Sequence, residues 1–153
     1  MDLRDHPAVK IHRFVFLMDK LMDRELKKAG GLSFAQFMIL ASVRTKPGLS
    51  QKMIANARQT TEAAVSRHVV SLVEKGFLSS KINTKDRKAH ELTLTSKGLA
   101  RFQKDSQVAE RTMNHVFSQV SQKDTTVLTK SLTILVDTLR AEFPDCICDD
   151  ITP

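Results

Sequence analysis

Residues 50 to 95 constrain the fold more than any other stretch. Ser50 opens a short helical run, Gln51 to about Ala57, and Thr60 or Thr61 can cap a second, Glu62 to about Lys75, with Gly76 just past its end. Only a few polar residues separate them, and two short helices on so tight a joint make a helix-turn-helix pattern. Val65, Val69, Leu72 and Val73 give the second helix its expected buried stripe. The period then changes. Leu78, Ser80 and Ile82 alternate against Ser79 and Lys81, and Leu92 and Leu94 against Glu91, Thr93 and Thr95. That predicts two strands, with Leu78, Ile82, Leu92 and Leu94 holding them against the helices. The connection from Asn83 to Ala89 lacks Gly and exceeds a tight turn, so it should project as a loop.

The rest of the chain has helical periodicity. Pro7 suits the first turn of a helix reaching about Lys28, with Phe14, Leu17, Met18, Leu21, Met22 and Leu26 on one stripe and Gly30-Gly31 as its stop. Ser33 stands three residues before Gln36, a capping-box spacing that opens a second helix over Phe34, Phe37, Met38, Leu40 and Ala41. Thr95 or Ser96 opens a long helix over Leu99, Phe102, Ala109, Met113, Val116, Phe117 and Val120. Ser121 caps a last one carrying Val127, Leu128, Leu132, Leu135, Leu139 and Phe143, ended by Pro144. The fold class is mainly α with a small β-hairpin.

Phe16 adds a second apolar side to the first helix, and Ile134 and Val136 add one to the last. A terminal helix with two apolar faces needs two partners. This predicts a homodimer whose core is shared between the chain ends.

Charge points to the partner. Of 153 residues, 24 are Lys or Arg and 17 Asp or Glu, a net charge of +7. From Ser50 to Lys88 the bases are Lys52, Arg58, Arg67, Lys75, Lys81, Lys85, Arg87 and Lys88. The acids there are Glu62, Glu74 and Asp86, so this quarter of the chain carries +5. A basic helix and loop of this kind fit double-stranded DNA. A membrane surface would instead call for a basic amphipathic helix with a large apolar face. No stretch nears the roughly 20 apolar residues of a membrane span, and MDLRDHPAVK has no apolar signal core; both predict a cytoplasmic protein. There is no Gly-rich phosphate loop, metal-spaced His cluster or nucleophile elbow, so neither an enzyme nor a cofactor is expected.

Four phrases, in this order, resemble the MarR family of winged helix-turn-helix transcriptional regulators. LSFAQFMIL (32–40) resembles its second helix and LSQKMIANA (49–57) the first helix-turn-helix element. TEAAVSRHVVSLVEKGFL (61–78) resembles its recognition helix entering the first wing strand, and KDRKAHELTLTSKG (85–98) its wing and long helix. The resemblance spans about residues 1 to 143. It implies a homodimer whose two winged domains read a palindromic operator, with dimerisation helices at 1–30 and 96–144, a DNA-binding domain at 32–95 and an acidic tail at 145–153. One departure stands at the wing: Arg87 is followed by Lys88, where the family more often has a second arginine, and lysine lacks the planar fork.

The N-terminal part of the recognition helix meets base edges. Here that part offers Thr60, Thr61, Ala63, Ala64, Ser66, Arg67 and His68. Alanine and threonine methyls can meet a thymine methyl, Arg67 can fork onto guanine or hold a phosphate, Ser66 suits either, and His68 suits phosphate. On the wing, Lys85, Arg87 and Lys88 face backbone and minor groove. Asp86 either pairs with an arginine to fix its direction or forms the turn. The alternative function is a winged-helix protein-interaction module that binds no DNA.

The resemblance also implies control by a small-molecule effector or by cysteine oxidation. His12, Arg13, Phe14, Phe37 and Met38 are candidate pocket walls, against the plainer reading of Met and Phe as core. Cys146 and Cys148 are candidate redox thiols, or metal ligands with their aspartates. Asp145, Asp149 and Asp150 beside them disfavour the thiolate, which makes incidental tail thiols the leading reading.

Overall fold

The computed structural model describes residues 2–82 and 90–143. Lys85, Asp86, Arg87, Lys88, Pro144, Cys146 and Cys148 lie outside the described residues. The described elements are α1 (Pro7–Lys28), α2 (Phe34–Thr45), α3 (Gln51–Ala57), α4 (Glu62–Glu74), β1 (Leu78–Ile82), β2 (His90–Leu94), α5 (Ser96–Phe117) and α6 (Gln122–Glu142).

Side chains written into the sequence start most of the helices. Ser33 Oγ accepts from Gln36 N–H, and Gln36 Oε1 accepts from Ser33 N–H, so the capping box of α2 is complete. Ser50, Thr61, Thr95 and Ser121 accept from Met53, Ala64, Gly98 and Asp124 N–H in turn. Each satisfies one of the orphan donors a helix start leaves open.

Helices α1 and α4 end the same way. Gly30 (φ 68°) and Gly76 (φ 73°) take the left-handed conformation. The next residues, Gly31 and Phe77, donate to Leu26 and Leu72 carbonyls, both at 2.8 Å. This Schellman closure favours glycine because a Cβ is strained at positive φ.

One core lies among α2, α3, α4 and the hairpin base: Leu32, Ile39, Leu40, Val43, Leu49, Ile54, Val65, Val69, Leu72, Leu78 and Leu92 are all buried. A second, smaller cluster of Met22, Leu26, Phe37 and Ala109 joins α1, α2 and α5. Helix α2 serves both, and Phe37 stacks on Phe102 with ring centroids 5.4 Å apart.

The strands pair antiparallel with Leu78 opposite Leu94, Ser80 opposite Leu92 and Ile82 opposite His90. A bridge at Leu49 extends the pairing: Gly48 N–H donates to Leu92 O and Leu92 N–H to Leu49 O, at 3.0 and 3.1 Å. The hairpin is thereby pinned to the segment entering α3.

Two expected core residues are not core. Ile82 is 60% exposed because the hairpin outruns the helices and only its base lies over them. Val73 is 37% exposed because it sits at the edge of the stripe that Val65, Val69 and Leu72 define. At the chain ends the apolar side chains stay uncovered. Phe14, Val15, Phe16 and Leu17 of α1 are each more than two-fifths exposed, and α6 has no buried residue.

Candidate nucleic-acid interface

The joint between α3 and α4 sets the interface. Helix α3 closes with Thr60 N–H on Ala55 O (3.0 Å) and Gln59 N–H on Asn56 O (3.2 Å). Gln59 is the one non-glycine at positive φ among the described residues (φ 48°). The chain then extends through Thr61, whose Oγ1 accepts from Ala64 N–H at 3.2 Å and starts α4.

Burial of Val65, Val69 and Leu72 turns the opposite side of α4 outward. Thr60, Thr61, Ala63, Arg67 and Val70 are exposed there, and Ser66 is half-buried beside them. Ala64 and His68 are half-buried and turn sideways, lining a cleft of about 170 Å³ with Ala35, Ile39, Arg58, Thr60 and Val65. The outward face thus combines small residues, hydroxyls and one arginine at the start of a capped helix with the apolar Val70 further along. Such a surface admits close approach of a groove floor.

The charges around it differ from the sequence expectation in one respect. Lys52, Arg67, Lys75 and Lys81 are exposed. Arg58 is half-buried: burial lowers its pKa and the carboxylate of Asp19 on α1 opposes that shift. Burial likewise pushes the Asp19 carboxyl up, with Arg58 pulling it back. Arg58 therefore answers the Asp19 carboxylate of the same chain as well as closing α3 at the joint. Pattern reasoning also missed Val70, 51% exposed on the outward face, which helical spacing from Ala63 (seven residues on) would have found.

The hairpin pairs Leu78 with Leu94 at its base and Ile82 with His90 at its far end, where Lys81 and Ile82 are exposed. Below it, Thr95 Oγ1 donates to Gly76 O at 2.6 Å and Lys97 Nζ to Lys75 O at 2.7 Å. Gly98 packs against Phe77 O, where any Cβ would collide with the carbonyl. These contacts lock the exit of α4 to the start of α5.

The candidate pocket walls do not share one site. Phe37 and Met38 pack in the second core cluster. Phe14 meets Phe117 edge-on at 5.9 Å and lines an apolar groove of about 770 Å³ among α1, α5 and α6. His12 and Arg13 are exposed and are not walls of that groove. Among the described residues no group of three or more His, Cys, Asp or Glu is placed to hold a metal, and no helix is long and apolar enough to cross a membrane.

Known proteins share this arrangement. Residues 32–90 match the MarR family. The HTH-type transcriptional regulator BilQ of Clostridium symbiosum is 30% identical over 100 residues, 65% of this chain and 69% of that protein. Wild-type MarR from E. coli in its apo form superposes with a TM-score of 0.79 at 20% identity, over 85% of this chain and 96% of that one. PcaV from Streptomyces coelicolor, a transcriptional regulator in complex with its natural ligand, superposes with a TM-score of 0.71 at 18% identity, over 90% and 96% of the two chains.

Proposed function

The chain belongs to the MarR family of winged helix-turn-helix transcriptional regulators, and from that premise we propose that it is an effector-responsive repressor binding a palindromic operator as a homodimer. Members of the family are DNA-binding regulators that act as dimers, not enzymes. The observation that carries the reading is the outward face of α4: Thr61, Ala63 and Arg67 are exposed and Ser66 half-buried on a capped helix, and Lys52 of α3 and Lys75 at the end of α4 are exposed as well. A carboxylate-rich or apolar face in the same place would have favoured a protein partner.

In this reading residues 32–95 bind DNA and residues 1–30 and 96–144 dimerise. Arg67 reads a base edge or clasps a phosphate, with Thr60, Thr61, Ala63, Ala64, Ser66 and His68 around it. Lys85, Arg87 and Lys88 neutralise phosphates at the wing, and Asp86 orients an arginine. The uncovered apolar sides of α1 and α6 support a shared core. The effector works by favouring one separation of the two recognition helices over another. PcaV, a fold relative holding its natural ligand, supports such a site here.

Gel-shift titration on a duplex selected from a random pool tests the reading. Affinity should fall steeply with salt, with a logarithmic slope of about −0.9 per phosphate neutralised. Arg67→Ala should relax the selected base preference at a cost of about 1–3 kcal/mol, while Arg87→Ala should weaken selected and random duplexes alike. Salt-independent binding, or none, would favour the protein-interaction alternative.

A further inference from the structure

Asp105 of α5 is fully buried, and its partners all lie at one corner of the fold. Its Oδ1 accepts from Arg101 Nη2. Its Oδ2 accepts from Arg101 Nε at 3.0 Å and from Leu32 N–H at 3.5 Å. Arg101 Nη1 donates onward to Gly30 O at 3.2 Å. One carboxylate and one guanidinium of α5 therefore grip the turn between α1 and α2. Gly31 is what lets them: a Cβ there would stand 2.6 Å from Leu26 O, 2.7 Å from Asp105 Oδ1 and 2.8 Å from Arg101 Nη2.

The gripped turn leads straight into the capping box of α2. Ser33 N–H donates to Gln36 Oε1 at 3.3 Å, and Gln36 Nε2 donates to Ser71 Oγ at 3.2 Å. Gln36 is 9% exposed, and Ser71 belongs to α4, the helix that carries Arg67. A continuous polar chain thus runs from α5 through residues 30–36 to the recognition helix. The surrounding contacts of Met22, Leu26, Phe37 and Ala109 are apolar and individually non-directional. Charge-assisted and bidentate hydrogen bonds are directional.

We propose that Asp105, Gln36 and Ser71 are positioning residues that fix the angle of the recognition helix relative to α5, and so the separation of two recognition helices in the dimer. None of them touches DNA in this reading. The proposal rests on two copies reading one palindrome. A purely structural role for the same residues would cost stability without altering which separation of half-sites is preferred.

The test uses full-length protein and duplexes carrying the selected half-sites at separations differing by one base pair, each step turning a half-site by about 35°. Wild type should favour its own separation by about tenfold or more, and Asp105→Asn or Ser71→Ala should reduce that preference to about threefold or less while base preference within each half-site stays. The double variant should be no more permissive than the worse single one, because both break the same chain. Ser71→Ala removes only a half-buried hydroxyl, so it decides the matter if Asp105→Asn fails to fold. Single variants that keep the wild-type preference would overturn the relay. A wild type indifferent to separation would overturn the two-copy reading and the relay with it.

Discussion

From Leu32 to Leu94 most of the described large apolar side chains are buried in the chain's own core, with Val70, Val73 and Ile82 outside it, whereas most of those on α6 and on the first half of α1 face solvent. Leu40, Leu49, Ile54, Leu72 and Leu92 are each at most 1% exposed. Val127, Ile134, Leu135, Leu139 and Phe143 are each more than half exposed. Both regions are amphipathic by sequence, so composition does not separate them. What separates them is the number of elements converging on each apolar face. Helix α2 meets α1, α4, α5 and β2, while α6 has no comparable packing within the chain. A patch of this extent marks a candidate interaction surface.

The contrast can be broken at its strong side first. Leu72→Ala removes a fully buried side chain from the joint of α4 with the hairpin. It should cost about 2–5 kcal/mol, read as a lowered midpoint in chemical denaturation. Leu135→Ala, by the same measurement on dilute protein, should cost within about 0.5 kcal/mol, because the side chain is already half exposed. Equal losses at the two sites would mean that α6 is part of a private core.

A gain is expected at the helix-turn-helix joint. Gln59→Gly should relieve positive-φ strain at Gln59 and raise stability by up to about 1 kcal/mol, offset in part by the freer unfolded chain. A thermal midpoint at or below wild type would show that the Gln59 side chain contributes more than its backbone costs.

A small effect that depends on pH lies where α1 meets the start of α2. Asp23 Oδ1 accepts from Phe34 N–H at 3.0 Å, and Oδ2 pairs with Lys27. The Lys27 hydrogen bond, with that of Phe34, holds the Asp23 carboxyl below its ordinary range. Its folded pKa is depressed, so its stabilisation is present above the unfolded value and is lost as pH falls through the folded one. Partial exposure and screening keep it below about 1 kcal/mol. Asp23→Asn should therefore be slightly less stable than wild type at neutral pH, and the gap should close under acid conditions. A gap that persists below the ordinary aspartate range would assign the effect to geometry instead of charge.

Much of this is legible in the sequence. Helix starts rest on local chemistry, so Ser33, Ser50 and Ser121 can be placed from the sequence, two more caps are narrowed to Thr60 or Thr61 and Thr95 or Ser96, and Gly30 and Gly76 mark two ends. Period two against period 3.6 separates the hairpin from the helices. Ile82 and Val73 were not legible, because alternation tells which face a residue shares but not how far the covering core extends. Asp105 was not legible either. Its carboxylate accepts from Leu32 N–H and its neighbour Arg101 donates to Gly30 O, both more than seventy residues away in sequence, and an Arg–Asp pair four apart on a helix reads as an ordinary surface pair. Arg58 reads as a DNA-facing base in the sequence because Asp19, the carboxylate that acts on it, lies on a different helix, α1.

The division of labour between the two regions is tested most directly by sedimentation equilibrium of wild type beside an Ile134→Lys, Leu139→Lys double variant, each checked by circular dichroism. Both side chains are at least 60% exposed in the single chain, so charge there leaves the fold of residues 32–94 undisturbed. The account predicts two chains per particle for wild type, one for the variant, and the same helical spectrum for the winged domain in both. A wild type that sediments as a single chain at micromolar concentration, or a variant that stays paired, would contradict it.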